Sequence, residues 1–155
     1  LKKDETDSYK GLSKLGIEPL DKNLTKEYIY SRINKSNLSI KTLLLDQTII
    51  SGLGNIYANE VLFDAKINPY RKGKTITIDE CERIVNSSNK IIKEAIELGG
   101  TTIKSYTSSL GVTGRFQQKL MVHKREGEAC KVCSSKIKKE FINGRSSYYC
   151  DKCQK

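Results

Sequence analysis

A mainly α-helical fold that ends in a small β hairpin is predicted for this chain of 155 residues by three features of its sequence. Apolar residues recur at helical spacing in several stretches before residue 100. Two Cys-x-x-Cys pairs lie near the carboxyl end. Between these pairs an Asn-Gly dipeptide separates two β-prone runs, which is a strong signal for a type I′ hairpin. We therefore expect a helical unit followed by a compact, cysteine-bearing hairpin.

Two amphipathic helices are predicted from apolar spacing and end signals. Residues 25–33 place their apolar side chains on one helical face. Residues 77–98 show the clearest amphipathic pattern. Thr77 and Glu80 have the spacing of a capping box, and the glycines at 99–100 are a helix stop.

A pair of helices joined by a glycine-rich turn is predicted between these two. Residues 40–50 are strongly apolar and follow Ser39, a good N-cap residue. Gly52 and Gly54 break that helix because glycine permits tight turns. A second helical pattern begins at Asn55 and stops before an Asn-Pro dipeptide.

The remaining chain is predicted to contain one long loop and three strands. Residues 101–118 are rich in Thr, Ser and Gly and are expected to form an exposed loop. Residues 119–123 alternate enough to predict a strand. Residues 137–142 and 145–150 are expected to pair across the turn at 143–144.

The charge of the chain favours a polyanionic partner. Lys and Arg total 28 against 18 Asp and Glu, which gives a formal net charge of +10. Residues 115–155 hold 11 basic and 4 acidic side chains, so the excess is concentrated there. No stretch has the roughly 18 apolar residues of a membrane helix, and no secretory signal is visible. Nucleic acid is therefore favoured over a membrane surface.

Four cysteines predict one structural zinc ion, Zn²⁺. The two pairs are separated by 16 residues, a spacing typical of zinc sites with two Cys-x-x-Cys pairs. Four thiolates complete a closed tetrahedral shell. The expected ligands are Cys130, Cys133, Cys150 and Cys153. Two disulfides, or a redox-active pair, are the alternatives.

Two further residues of metal-binding type, Cys81 and His123, are not expected to bind the metal. Cys81 lies on the apolar face of the 77–98 pattern, where a buried small hydrophobic residue is expected. His123 is the only histidine and is not needed as a ligand beside four cysteines. We expect His123 at the surface or in side-chain packing, and a single His leaves no credible catalytic triad.

Several motifs in one order resemble the formamidopyrimidine-DNA glycosylases. The motifs are LLDQ at 44–47, GLGNIYANE at 52–60, INP at 67–69, GGTT at 99–102 and YCDKCQK at 149–155. The second motif is similar to the helix–two-turn–helix of that family. The resemblance covers nearly everything after about Gly16. The endonuclease VIII-type enzymes share this architecture, and the Gly-Gly-Thr-Thr element favours the formamidopyrimidine branch.

The resemblance implies a domain organisation. Residues 21–118 are expected to form a helix–two-turn–helix DNA-binding domain, and residues 119–155 a four-cysteine zinc finger. Residues 1–20 are expected to be a linker from an amino-terminal catalytic domain of the same protein. The chain begins at Leu1 without an initiator Met, so we expect a piece of a longer protein.

The resemblance also implies an activity for the longer protein. It would be a bifunctional DNA glycosylase and AP lyase that excises oxidised purines in base excision repair. The family's nucleophile is an amino-terminal proline, whereas Pro19 and Pro69 are both internal here. The 155 residues are therefore expected to bind DNA without cutting it.

The family's DNA-binding residues have matching positions in this sequence. Lys41, Asn55 and Arg145 match a Lys, an Asn and a finger Arg that hold the phosphates beside an everted nucleotide, with Gly54 allowing close approach. The alternatives are solvent exposure for Lys41 and Arg145 and helix capping for Asn55. The loop that closes over an oxidised purine matches Lys104, Ser105, Tyr106 and Thr107, with a mobile connector as the alternative. Asp46 and Glu60 could orient basic side chains or cap helices.

The expected partner is double-stranded DNA with a damaged base or abasic site. We expect a monomer without membrane contact, in a bacterial cytoplasm and associated with the nucleoid. A stand-alone zinc-ribbon module of the transcription or translation machinery, an endonuclease VIII-type relative, and a metal or redox sensor are the alternatives.

Overall fold

Helices dominate the computed structural model, which describes residues 16–99 and 120–155. The described helices are α1 (Lys26–Ile33), α2 (Ile40–Leu44), α3 (Asn55–Ala65) and α4 (Ile78–Gly99), with a 3₁₀ turn at Gly73–Thr75. Strands β1 (Lys138–Ile142) and β2 (Arg145–Tyr149) follow and pair antiparallel. This order confirms the predicted mainly α fold with a carboxyl-terminal hairpin. Within the described ranges, no helix is long and apolar enough to span a membrane.

Side-chain caps set where α1 and α4 begin. Thr25 Oγ1 accepts a hydrogen bond from the Tyr28 amide at 3.1 Å. Before α4, Thr77 Oγ1 accepts from the Glu80 amide at 3.1 Å, and Glu80 Oε1 accepts from the Thr77 amide at 2.9 Å. This reciprocal pair is the predicted capping box.

The turn between α2 and α3 forms where the glycines predict it. Gly52 has φ 92°, a conformation that favours glycine. Gly54 directly precedes α3, so Asn55 is the first residue of that helix. The second helix of the pair therefore begins where the sequence predicts.

Helix α2 is shorter than its apolar pattern. The pattern covers residues 40–50, whereas the helix ends at Leu44. The Asp46 carboxylate accepts hydrogen bonds from both the amide and the hydroxyl of Thr48, at 2.9 and 2.6 Å. Such local side-chain bonds compete with helical ones. Asp46 therefore shapes the turn that follows α2.

Two apolar cores lie among the described residues. The larger core is shared by the four helices and contains Cys81, which is fully buried as predicted. The smaller core consists of Phe63, Val122, Cys130, Ile137, Tyr148 and Cys150, with Met121 and Cys153 packed against it. Because Phe63 belongs to α3, the smaller core is built directly on that helix.

The strand predicted at residues 119–123 is wrong for residues 120–123, where no strand forms and residues 121–123 are bends and a turn. Their amides are occupied elsewhere, because the Glu60 carboxylate accepts from Met121, Val122 and His123. The predicted hairpin is confirmed, with Asn143 at φ 51° and Gly144 at φ 78° in its turn.

Candidate nucleic-acid interface and metal centre

Four cysteine sulfurs converge at the base of the hairpin. The Sγ atoms of Cys130, Cys133, Cys150 and Cys153 all lie within 4.8 Å of one another. The Cys130–Cys153 and Cys133–Cys150 pairs are separated by 3.8 and 3.4 Å. A tetrahedral zinc with Zn–S bonds of about 2.3 Å places its sulfurs about 3.8 Å apart, so the quartet fits one zinc. The two-disulfide alternative is wrong, because a disulfide requires an S–S distance of about 2.05 Å.

The two cysteine pairs lie on equivalent turns. The Ser134 amide donates to the Cys130 carbonyl at 2.9 Å, and the Gln154 amide donates to the Cys150 carbonyl at 2.9 Å. In each turn the first cysteine is buried. The hairpin between the turns then brings the two pairs face to face.

The second cysteine turn is fastened to the end of α3. The Gln154 side chain is buried, accepts from the Cys150 amide at 2.8 Å and donates to the Ile67 carbonyl at 2.9 Å. The Lys155 amide also donates to the Lys66 carbonyl at 3.2 Å. The finger and the helical unit are therefore hydrogen-bonded at the last residues of the chain.

Two tyrosine hydroxyls form hydrogen bonds to strand β1 of the hairpin. Tyr70 lies after α3, and its hydroxyl donates to the Glu140 carboxylate on β1. Tyr149 donates to the other oxygen of Glu140 at 3.0 Å. The bond to Glu140 raises the pKa of Tyr70 to about 12.

Three side chains from α2 and α3 converge on one carbonyl of the hairpin, that of Ser146. The distances to the Ser146 oxygen are 3.2 Å from Lys41 Nζ, 3.0 Å from Asn55 Nδ2 and 3.4 Å from Asn59 Nδ2. A carbonyl oxygen has two lone pairs, so the cluster holds one more donor than this atom can fully satisfy. Arg145, the exposed first residue of β2, lies directly beside this point.

Asn55 is the least satisfied member of this cluster. Its Oδ1 atom is buried without a hydrogen-bond partner. The N-cap of α3 is Gly54 rather than Asn55, and the unpartnered Asn55 Oδ1 accepts no bond from a helix amide, so the helix-capping alternative is wrong. A Cβ atom placed on Gly54 would meet nothing within 4 Å, so the surface in front of the helix is open.

Lys41 is buried, which the sequence did not predict. Its side chain is fully covered, and Nζ also donates to Ser147 Oγ at 2.8 Å. The solvent-exposure alternative for Lys41 is therefore wrong. Burial, and then the positive charge of Arg145, lower the pKa of Lys41 to about 7. An anion placed near this pair would favour the charged lysine.

Glu60 and Asn59 join α3 to the segment that leads into the first cysteine turn. Glu60 is 4% exposed and accepts from three successive amides, Met121 at 2.7 Å and Val122 and His123 at 2.9 Å. Burial raises the pKa of Glu60, and the three hydrogen bonds oppose that rise. Glu60 is therefore an anchor for this segment rather than a helix cap.

His123 is buried in side-chain packing, one of its two expected environments. Its Nδ1 atom lies 3.0 Å from Asn59 Nδ2, and its ring meets the Tyr148 ring edge-on at 4.9 Å. Because an amide nitrogen donates, Nδ1 is the acceptor. Burial, followed by the charges of Lys124 and Lys41, lowers the pKa of His123 to about 4.

Sequence reasoning missed Asn59 and left Glu60 undecided. The available signal was a set of polar residues at positions 55, 59 and 60 of an otherwise largely apolar helix. Such positions on a buried helix need polar partners. Residues 104–107, predicted to close over an oxidised purine, lie outside the described residues.

Two family models match the chain. The H2TH domain of formamidopyrimidine-DNA glycosylase matches residues 15–107. The zinc finger found in FPG and IleRS matches residues 127–155. With the sulfur geometry described above, the second match shows that the four cysteines bind one structural zinc ion.

Relatives and solved structures agree with these matches. The formamidopyrimidine-DNA glycosylase of Pelotomaculum thermopropionicum is 44% identical over 152 residues, which are 98% of this chain and 55% of the relative. The enzyme of that name from Ureaplasma parvum is 44% identical over 145 residues, or 94% of this chain and 53% of the relative. The chain thus spans about half the length of these relatives.

Solved Fpg structures share the fold. An Fpg from Lactococcus lactis in complex with abasic-site DNA superimposes with a TM-score of 0.83 at 36% identity, over 96% of this chain and 54% of that one. The Fpg protein of Thermus thermophilus gives 0.82 at 33% identity, over 97% and 57%. The chain therefore belongs to the formamidopyrimidine-DNA glycosylase family, from which it carries the H2TH domain and the zinc finger.

Proposed function

We propose that this chain binds double-stranded DNA at a damaged base or an abasic site. It would be the DNA-holding part of a glycosylase and AP lyase that removes oxidised purines in the bacterial nucleoid, acting as a monomer. The convergence of Lys41 and Asn55 on the hairpin beside Arg145 carries this proposal. Solved Fpg relatives from Lactococcus lactis are complexes with abasic-site DNA and with FAPY-dG DNA, which supports it.

Each residue of the cluster has a distinct role in this proposal. Asn55 offers its amide at the start of α3, where free backbone amides and the helix dipole favour an anion. Gly54 leaves room for a phosphate to approach. Arg145 offers a planar guanidinium from a hairpin fixed by zinc, which suits bidentate contact with phosphate. Lys41 adds a positive charge in the protein interior behind Asn55 and Arg145. A nucleotide between two phosphates held in this way can be turned out of the stack.

We assign this function to two units, residues 21–118 and 119–155, after a linker over residues 1–20. The two apolar cores follow this division except at two residues: Leu120 packs in the larger core and Phe63 of α3 packs in the smaller one. The stand-alone zinc-ribbon alternative requires no H2TH domain, so the family match over residues 15–107 gives it no support.

Replacing Arg145 by Ala tests the proposed DNA contact. We expect the Kd for an abasic-site duplex to rise about tenfold or more, because a hydrogen bond to a charged group contributes about 1.5–3 kcal/mol. Fluorescence anisotropy at fixed salt measures this Kd. Arg32→Ala is the matched control, since Arg32 is exposed on α1 and contacts Tyr28. Equal losses in the two variants would show that only net charge matters.

Covalent chemistry is not expected of these 155 residues alone. Neither of their two prolines, Pro19 and Pro69, can supply the amine of Schiff-base catalysis, because both nitrogens are committed to peptide bonds. Lys41, the amine whose pKa is lowered to about 7, is fully buried. Incubation with abasic-site duplex and borohydride should therefore leave no covalent adduct by mass spectrometry. Trapping of an adduct would show that another amine of the chain serves as nucleophile.

A further inference from the structure

Helix α3 carries more hydrogen-bonding side chains toward the finger than DNA contact requires. Asn59 and Glu60 are 2% and 4% exposed, so neither can reach a phosphate at the surface. Both form hydrogen bonds to residues of the finger at 119–155: Asn59 to His123 and Glu60 to Met121. Asn55 likewise bonds to Ser146. We propose that Asn59, Glu60 and His123 are positioning residues, which lock the finger onto α3 so that Asn55 and Arg145 hold DNA as one rigid pair. This inference rests on the function proposed above.

Glu60 fixes the segment that enters the finger. Its Oε1 atom accepts from the Met121 amide, and its Oε2 atom accepts from the amides of Val122 and His123. Burying a carboxylate carries a desolvation penalty, and apolar contact joins two segments without that penalty. Three directional, charge-assisted bonds provide something that apolar contact does not, which is a fixed orientation.

Asn59 and His123 fix the hairpin itself. The Asn59 amide group reaches both His123 Nδ1 at 3.0 Å and the Ser146 carbonyl at 3.4 Å. The His123 ring packs on Tyr148, which lies two residues beyond Ser146 on β2. Strand β2 is therefore held to α3 directly at Ser146 and, through His123, at Tyr148. Arg145 is the residue next to Ser146.

A fixed distance between Asn55 and Arg145 favours DNA binding because no conformational entropy is then lost in ordering the finger when DNA binds. If the finger moved freely relative to α3, each binding event would have to order it, and affinity would fall accordingly. With the finger locked, the guanidinium of Arg145 and the amide of Asn55 are pre-organised. The lock therefore contributes to DNA affinity only as long as Arg145 is present to use it.

A double-mutant cycle with Glu60→Gln and Arg145→Ala tests this dependence. Gln keeps the size of Glu60 but removes the charge and turns an NH₂ group toward N–H donors. We expect the Kd for abasic-site duplex to rise about tenfold in the wild-type background and less than about twofold in the Arg145→Ala background, since coupled residues are not additive. The same fold-change in both backgrounds would assign Glu60 a merely structural role and overturn the inference.

Asp64→Asn is the matched control for the cycle. Asp64 lies one turn further along α3 and accepts from Ser87 at 2.6 Å and from Lys90 at 2.9 Å, both on α4. This substitution also converts a carboxylate to an amide on α3 but leaves the finger contacts untouched. We expect it to change the Kd less than about twofold. A loss equal to that of Glu60→Gln would overturn the inference.

A second variant, Asn59→Leu, guards against a folding defect in Glu60→Gln. It is expected to show the same dependence on Arg145, with one zinc per chain retained. Loss of zinc from both variants would assign these residues to folding alone and overturn the inference. If Arg145→Ala has no effect by itself, the proposed function fails; if only Glu60→Gln and Asn59→Leu have none, the positioning inference alone fails.

Discussion

Removal of zinc is expected to unfold the finger and to weaken binding of abasic-site duplex by about 100-fold or more, because folding free energy of about 10–16 kcal/mol comes from metal binding in such small domains. The smaller core, which packs inside the finger and against α3, contains six buried residues, two of which are zinc ligands. It is therefore too small to fold without the metal. Arg145 depends on this hairpin for its position, so its proposed DNA contact should be lost as well.

The helical unit should survive the loss of zinc, because its core is separate and larger. Amide NMR spectra before and after chelation measure both effects: the signals of β1 and β2 should collapse to unfolded positions, while those of α1 and α4 persist. Cys130→Ser should reproduce the effect. Cys81→Ala is the matched control, since Cys81 lies in the helical core and outside the sulfur quartet. Unchanged hairpin signals after metal removal would contradict a structural zinc.

DNA affinity is expected to fall about tenfold between pH 7 and pH 9, because deprotonation of Lys41 removes a positive charge behind the proposed Asn55 and Arg145 contacts, and a pKa rise of one unit on binding corresponds to about a tenfold change in affinity. In the free protein the pKa of Lys41 is lowered to about 7 by burial and by Arg145. A bound phosphate raises that pKa, so binding takes up a proton above pH 7. His123, with a pKa lowered to about 4, stays neutral.

Protein stability should change with pH in the opposite direction. Unfolded Lys41 has its ordinary pKa of 10.5, whereas folded Lys41 has a pKa of about 7. The unfolded chain therefore binds more protons between these values, and this group makes the free energy of unfolding rise with pH. Urea denaturation and anisotropy at several pH values measure the two trends. Lys41→Met should abolish both, and a pH dependence of affinity that survives in Lys41→Met would contradict this role.

Structural elements that depend only on residues close together in the sequence could be predicted from it. The capping box of Thr77 and Glu80 and the turn at Asn143-Gly144 need only local geometry, and both are confirmed. The strand prediction failed over the described residues 120–123 because three of their amides bond to a distant carboxylate. Alternation along the chain contains no information that Glu60 takes three of these amides.

In the candidate site, the metal ligands could likewise be predicted from local spacing, whereas contacts between distant parts of the chain could not. Fixed spacing identified the cysteine quartet, because each pair brings its two sulfurs together locally. Burial of Lys41 could not be predicted, since lysine is almost never fully buried without a partner and its partners lie more than 100 residues away. Asn59 escaped notice for a similar reason, as its partners His123 and Ser146 lie on the finger side of the chain.

Whether Asn55 and Arg145 hold neighbouring phosphates of one strand can be measured directly. In an abasic-site duplex, one phosphate at a time is replaced by a neutral methylphosphonate, and the Kd is determined for each duplex. We expect losses of about tenfold at two phosphates of the damaged strand that flank the abasic site, since charge-assisted contacts dominate such binding. One loss should disappear in Asn55→Ala and the other in Arg145→Ala. Losses spread over both strands, or losses that persist in both variants, would contradict the account.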